Sequence, residues 1–297
     1  MPATATQKAH LSLIAANLLF GINFSVVKLI APSFILPLGL NFMRVIVATS
    51  LFWILFLLRP TKGWIAQKDI PRFIICAITG IAINQILFIK GIVLTTPIHA
   101  ALLILGTPVF ILILSFITRT EKLSFLKITG LIIALAGGTV LVMSKEGSAL
   151  GPNMLLGDIF VLINAISYAF YMILVKPLTH SYTPLQVTRW VFTIGMFIIL
   201  PFCWKDFSAT NWSAFTLGAW ASLSLVVIGA TFLAYLFIAY GIHHLSPSIT
   251  GAYIYTQPVF SAGIAIIFLN EEPAIYKLVA AVLIFSGVYL INRKKAL

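Results

Sequence analysis

The residues of this chain able to do chemistry sit, for the most part, in apolar surroundings. Asn23, Asn84, Gln85, Thr107, Tyr168, Tyr171 and Gln257 all fall inside long hydrophobic runs. A polar group there is costly unless paired, so such residues turn inward. They either hydrogen-bond neighbouring helices or line a half-polar, aromatic path for a solute. Arg44 and Arg189 lie soon after the starts of their runs, near opposite faces. Each either snorkels to the interface or attracts a carboxylate or phosphate. Pro108 and Pro258 lie mid-run and free a carbonyl one turn back, at Ile104 and Ile254. Such kinks either serve packing or border a substrate path. Glu121 and Glu271 open later runs, where a carboxylate either favours the positive helix end or acts as a gate or proton carrier.

Other chemistries lack their parts. The seven carboxylates are Asp69, Glu121, Glu146, Asp158, Asp206, Glu271 and Glu272, and none is expected at mid-depth in a bilayer. A buried acidic relay for proton pumping is therefore missing, as is a phosphate-binding Gly-rich loop ending in Gly-Lys-Ser/Thr. Facilitated diffusion, exchange, or weak proton coupling through Asp158 or a helix-end Glu is expected. No Asp-rich motif or Gly-x-Ser-x-Gly elbow suggests an enzyme. His99, a low-order candidate for a titrating gate, and His243-His244 have no third ligand nearby in sequence. Cys76 and Cys203 are expected near opposite faces. No metal, cofactor or disulfide is anticipated.

The elements positioning these residues follow from composition. The chain is 61% hydrophobic and 9% charged, with a mean hydropathy of +1.08, whereas soluble domains carry about 25% charge. Its solvent is expected to be lipid. A crossing takes roughly 20 residues, so the 297 residues hold about ten crossings and little else. The runs are Leu11–Ile30, Pro37–Leu58, Ile70–Gly91, Pro97–Thr118, Phe125–Met143, Leu155–Val175, Pro184–Cys203, Phe215–Gly241, Pro247–Leu269 and Pro273–Ile291. The eighth is long enough to tilt or contain a break. The first is too long for a signal-peptide core and is read as a retained helix.

The net charge of +12 does not call for nucleic acid, because the cations sit between apolar runs rather than along one face. With the N-terminus inside, Lys8, Arg59, Lys62, Lys68, Arg72, Arg119, Lys122, Lys127, Lys176, Arg293, Lys294 and Lys295 fall on the cytoplasmic side. The other side holds Lys28, Lys90, Lys145, Lys205 and Lys277. This asymmetry places both termini in the cytoplasm.

The chain also resembles itself. Shifted by 150 positions, Gly91-Ile92 meets Gly241-Ile242, Pro97 meets Pro247, and Pro108-Val109-Phe110 meets Pro258-Val259-Phe260. Glu121 then meets Glu271, Lys127 meets Lys277, and Asn84-Gln85 meets Ala234-Tyr235. Lys28 pairs with Lys176 and Arg44 with Arg189 at slightly different shifts. Five crossings per half is an odd number, so the second half enters from the opposite side. Inverted repeats place a site near the midplane and permit alternating access.

The residues Phe20-Gly21-Ile22-Asn23-Phe24 with Lys28, then Arg44, Pro108, and Glu121-Lys122-Leu123-Ser124 through Gly130 and Gly137-Gly138, resemble the drug/metabolite transporter superfamily in its EamA branch. Glu271-Glu272-Pro273 through Gly287 repeats the last of these patterns. That family usually has Trp where this chain has Phe20, and often Trp where it has Tyr168. The resemblance implies a ten-helix inverted repeat that exports amino acids or related metabolites. The expected fold is thus an all-α membrane protein in two five-helix repeats, residues 1–148 and 149–297. The expected function is inner-membrane export of small amphipathic metabolites by alternating access, the alternative being a channel for small solutes. The candidate lining is Phe20, Asn23, Asn84, Gln85, Thr107, Tyr168, Tyr171, Tyr235 and Gln257. Pro108, Pro258, Arg44, Arg189, Glu121 and Glu271 are candidates for kinking or gating. The expected partners are a small-molecule substrate and the bilayer.

Overall fold

The computed structural model describes residues 4–31, 33–58, 63–95, 97–143, 153–268 and 275–292. They form an all-helical bundle with no strand among them. Glu271, expected to open the last helix, lies outside the described residues.

Helix α1 (Ala5–Ile30) begins at Thr4, whose hydroxyl accepts from Gln7 N while the Gln7 side chain accepts from Thr4 N. This reciprocal cap satisfies amides that have no partner within the helix. Helix α2 is Pro37–Leu58. The third column joins α3 (Ile70–Ala77), a π-helical segment Ile78–Ile83, and α4 (Asn84–Leu94). The fourth joins α5 (Pro97–Leu105) and α6 (Thr107–Ile117) across Gly106. Pro108 has no N–H to give the preceding turn, and Gly106 N instead donates to Leu103 O at 3.0 Å, a tighter turn. Then follow α7 (Phe125–Met143), α8 (Met154–Ser181) and α9 (Pro184–Ser208).

The eighth column runs from α10 (Leu217–Ser224) through a second π-helical segment, Leu225–Leu233, into α11 (Ala234–His244). The irregularity expected in that long run is this π segment. The ninth comprises α12 (Pro247–Ala252), a 3-10 turn Tyr253–Tyr255 and α13 (Thr256–Phe268), and the chain closes on α14 (Ile275–Asn292). The distortions recur at matching places. Each π segment ends immediately before Asn84 or its repeat equivalent Ala234, and each broken column resumes just before Pro108 or Pro258.

Seven stretches among the described residues are long and apolar enough to cross a membrane: Pro37–Leu58, Gln67–Ile92, Ala100–Ile117, Met154–Ser181, Pro184–Ser208, Leu217–His244 and Ile275–Asn292. Their outward faces carry large apolar side chains, among them Leu57, Ile113, Leu155, Phe197, Leu217 and Tyr289. Helices satisfy their own backbone, which is why they suit hydrocarbon.

The main packing pairs are α7 with α14, α2 with α9, α4 with α8, α1 with α11, α1 with α13, and α6 with α8. Exchanging each column for its counterpart in the other half returns the same set. The α7–α14 seam is built on small residues. A Cβ on Gly130 would lie 2.6 Å from Gly287 O, and one on Gly137 would lie 2.9 Å from Ala280 O. Numbers rise along one helix as they fall along the other, so these two helices run antiparallel.

Gly287→Val is expected to force the seam apart, because its Cβ would collide with Gly130 O. Overpacking of this kind costs about 1–3 kcal/mol. Gly263→Ala, in open space, is expected to be neutral or to stabilise by up to about 1 kcal/mol through helix propensity. Unfolding of the two variants in detergent compares them directly.

Candidate functional site

A cavity of about 140 Å³ lies where α1, α2, α4, α6, α8, α11 and α13 converge. Its wall includes Phe20, Asn23, Arg44, Asn84, Gln85, Thr107, Tyr168, Tyr235 and Gln257. Eight of the nine residues expected to line a path are therefore brought together, and Arg44 joins them.

Tyr171 is the exception. It is 2% exposed and closes over Gly80 of the first π segment, where a Cβ would come 2.5 Å from its ring. Tyr171 lies nearly one turn on from Tyr168, with ring centroids 5.8 Å apart, but packs against the π segment rather than onto the cavity.

The cavity wall is organised by hydrogen bonds between the halves. Gln85 Nε2 donates to Tyr235 Oη at 3.2 Å; these two residues are repeat equivalents, 150 positions apart. Gln257 Nε2 donates to Asn17 Oδ1 at 2.8 Å, and Asn17 Nδ2 donates to Leu13 O. Asn164 Nδ2 donates to Asn84 O at 2.7 Å. Phe20 meets the edge of the Tyr235 ring, with centroids 6.1 Å apart. Asn17, Phe88, Asn164, Ile104, Ile238 and Ile254 also line the cavity, beyond the residues expected from the sequence. Asn17 and Asn164 carried a legible signal, since each is an amide within an apolar run. Ile104 and Ile254 are the residues whose carbonyls Pro108 and Pro258 leave without a helical donor, so the kinks do border the cavity.

The two arginines do not occupy matching places. Arg44, 7% exposed, donates through Nε to Thr231 Oγ1 at 2.9 Å, and Thr231 in turn donates to Val226 O within the second π segment. Arg189 is fully buried elsewhere. It donates to Gly63 O and its guanidinium lies 3.7 Å from the Phe56 ring centroid and 4.6 Å from that of Trp53. Snorkelling would need an open route to the interface, and these rings block it. The Gly63 carbonyl also accepts from Trp190 Nε1. The same loop is tied by Tyr182, which donates to Asp69 at 2.6 Å and accepts from Ala66 N. Burial, together with this bond to Asp69, raises the Tyr182 hydroxyl above its usual pKa.

Glu121 was expected to favour the start of its own following helix. It instead reaches the other half: Oε1 accepts from Ser248 N at 2.9 Å, in the first turn of α12, and Oε2 pairs with Lys127. Lys176 caps the adjoining helix end, donating to the carbonyls of Ile242, His243 and Leu245 at 2.6, 3.2 and 2.9 Å. A carboxylate at a helix start and an ammonium at a helix end both complement the helix dipole. No group of His, Cys, Asp and Glu among the described residues forms a metal site, and Cys76 and Cys203 are free and buried.

The model of the EamA-like transporter family matches residues 7–143 and again residues 155–293. A Bacillus subtilis protein named uncharacterized transporter YetK is 25% identical over 97% of this chain and 87% of its own length. A Streptantibioticus cattleyicolor protein named probable terminal-alkyne amino-acid exporter is 28% identical over 76% of this chain and 74% of its own. A crystal structure with 17% sequence identity superposes with a TM-score of 0.80, covering 97% of this chain and 96% of that one; it shares the fold.

Tyr235→Phe removes the oxygen to which Gln85 donates and is expected to cost about 1 kcal/mol. Tyr171→Ala leaves a void beneath Gly80 and is expected to cost about 3–5 kcal/mol. Unfolding midpoints of the purified variants rank the two.

Proposed function

The chain belongs to the EamA-like transporter family, and from that premise we propose that it is a secondary carrier of small amphipathic metabolites. Amino acids and related compounds are the first class to test. It works by alternating access between two inverted five-helix repeats, residues 1–148 and 149–297, with ten crossings in all. The observation that carries this reading is the hydrogen bond between the repeat equivalents Gln85 and Tyr235 at the wall of the central cavity. A pseudo-two-fold axis through that pair relates the halves. The antiparallel α7–α14 seam, the self-mapping packing pairs and the double family match all support it.

The eight gathered residues form the substrate path, with Pro108 and Pro258 flexing the columns beside it. Rocking of one repeat against the other exposes the cavity to each side in turn. Contacts that bridge the halves at one end must then break when that end opens. Glu121, holding Ser248 N and Lys127, is such a latch. Arg189 braces the Gly63 loop rather than gating. The distribution of Lys and Arg between loops supports a cytoplasmic-membrane location with both termini inside. The terminal-alkyne amino-acid exporter at 28% identity supports testing amino acids first. No acidic residue lines the cavity, which supports exchange or facilitated flux over tight proton coupling.

Two measurements test the proposal. Reconstituted protein is expected to catalyse saturable counterflow of labelled amino acids that an uncoupler leaves unchanged. Unsaturable flux would mean a channel, and absence of flux across an amino-acid panel would remove that substrate class. Single cysteines at Glu121 and Glu271 are expected to react with impermeant reagents from opposite sides of the membrane. Reaction from the same side would end the inverted-repeat reading.

A further inference from the structure

We propose that Arg44 is the carboxylate-binding residue of the cavity and makes it selective for small monocarboxylates, zwitterionic amino acids above all, against amines and multiply charged anions. This rests on the carrier reading. The cavity wall holds one cationic side chain, Arg44, and no acidic one. Arg44 is 7% exposed, so water does little to screen its charge, and a buried cation is strongly favoured by an arriving negative charge. Its anchor is specific. Nε donates to Thr231 Oγ1 at 2.9 Å, and Thr231 is itself fixed by donating to Val226 O at 2.9 Å. With Nε so committed, the remaining recognition edge of the guanidinium is the end-on pair of Nη groups, the fork that matches the two oxygens of a carboxylate.

An independent observation supplies the other half of a zwitterion. Asn23 and Gln85, both lining the cavity, each carry a buried side-chain oxygen without a hydrogen-bond partner among the described residues. Buried acceptors without donors are costly, and an ammonium offers three N–H donors and accepts nothing. Phe20, Phe88, Tyr168 and Ile238 complete the wall with apolar and aromatic surface, suited to a hydrocarbon side chain. The volume, about 140 Å³, is that of a cavity that takes up one benzene molecule, about 150 Å³. A phosphate dianion would bring more charge than one guanidinium neutralises. A bare amine would place a second cation beside the first. The arrangement is also one-sided: Arg189, the other arginine of the pair, is enclosed away from the cavity, so only the first half contributes the charge. Thr231 is the positioning residue, because it touches the guanidinium and not the substrate.

The full-length protein reconstituted in proteoliposomes is assayed with four probes of one shape: L-leucine, 4-methylpentanoate, L-leucinamide and 3-methylbutylamine. Each competes against labelled L-leucine counterflow. In wild type, leucine and 4-methylpentanoate are expected to compete at least about tenfold better than the amide and the amine, the scale of one charge-assisted hydrogen bond. Arg44→Gln is expected to weaken both carboxylates at least about tenfold and to erase the preference, whereas Arg44→Lys retains part of it. Thr231→Val, which keeps the charge, is expected to weaken the carboxylate probes selectively and leave leucinamide unchanged; a merely structural role would weaken all four alike. Should Arg44→Gln fail to fold, the Thr231→Val pattern decides. Amide and amine competing as well as leucine would overturn the assignment of Arg44 while leaving the carrier intact. Absence of leucine counterflow in wild type would remove both the assignment and the amino-acid reading.

Discussion

A polar group enclosed by hydrocarbon has no water to fall back on, and this bundle is arranged around that constraint. Its outer faces are leucine, isoleucine and phenylalanine. Its amides, hydroxyls and guanidinium groups therefore find partners inward. Asn17 meets Gln257, Asn164 meets the Asn84 backbone, Gln85 meets Tyr235, and Arg44 meets Thr231. Where Pro108 and Pro258 interrupt the backbone ladder, the residues whose carbonyls they free, Ile104 and Ile254, line the same interior. A polar centre results that is satisfied for the most part yet retains unpaired oxygens on Asn23 and Gln85. Polarity of that kind is compatible with a solute that completes it and then leaves.

The bonds across the centre run largely from one half of the chain to the other, and the same holds near the ends. Glu121 reaches Ser248, and the Gly63 loop is held by Arg189 and Trp190. These contacts differ in kind. Arg189 sits in an aromatic cage of Trp53 and Phe56, a rigid arrangement suited to bracing. Glu121 makes a charged contact to a helix start, which depends on close approach and weakens as the helices separate. The proposed alternating access calls for both sorts, fixed seams and contacts that open, and the close-packed α7–α14 glycine seam suits the first role.

Much of the site was legible because membrane burial makes polarity conspicuous. Asn23, Asn84, Gln85, Thr107 and Gln257 stand out in apolar runs, and self-similarity added Tyr235 through its equivalence with Gln85. The misses have physical reasons. Tyr171 shares the composition of Tyr168 but lies on a face that packs under the π segment. Arg189 resembles Arg44 in type and depth but not in register, so its environment is a different one. Ile104 and Ile254 are apolar, and only the prolines four residues later hinted at them. Asn17 and Asn164 were as visible as the others and were not singled out.

The amino-acid order alone determined that the chain is a membrane-embedded helical bundle. Charge scarcity, run length and period are local quantities, and lipid converts them directly into spanning helices. It also determined the internal repeat, since proline, glycine and glutamate matched in register over the later part of each half. Tertiary structure decided which polar residues share one cavity and which serve as braces. That depends on the rotation of each helix about its axis and on π and 3-10 distortions that reset that rotation. A shift of one residue turns a side chain by about 100°, so residues of like composition can end on different surfaces, while Gln85 and Tyr235, far apart in the chain, meet.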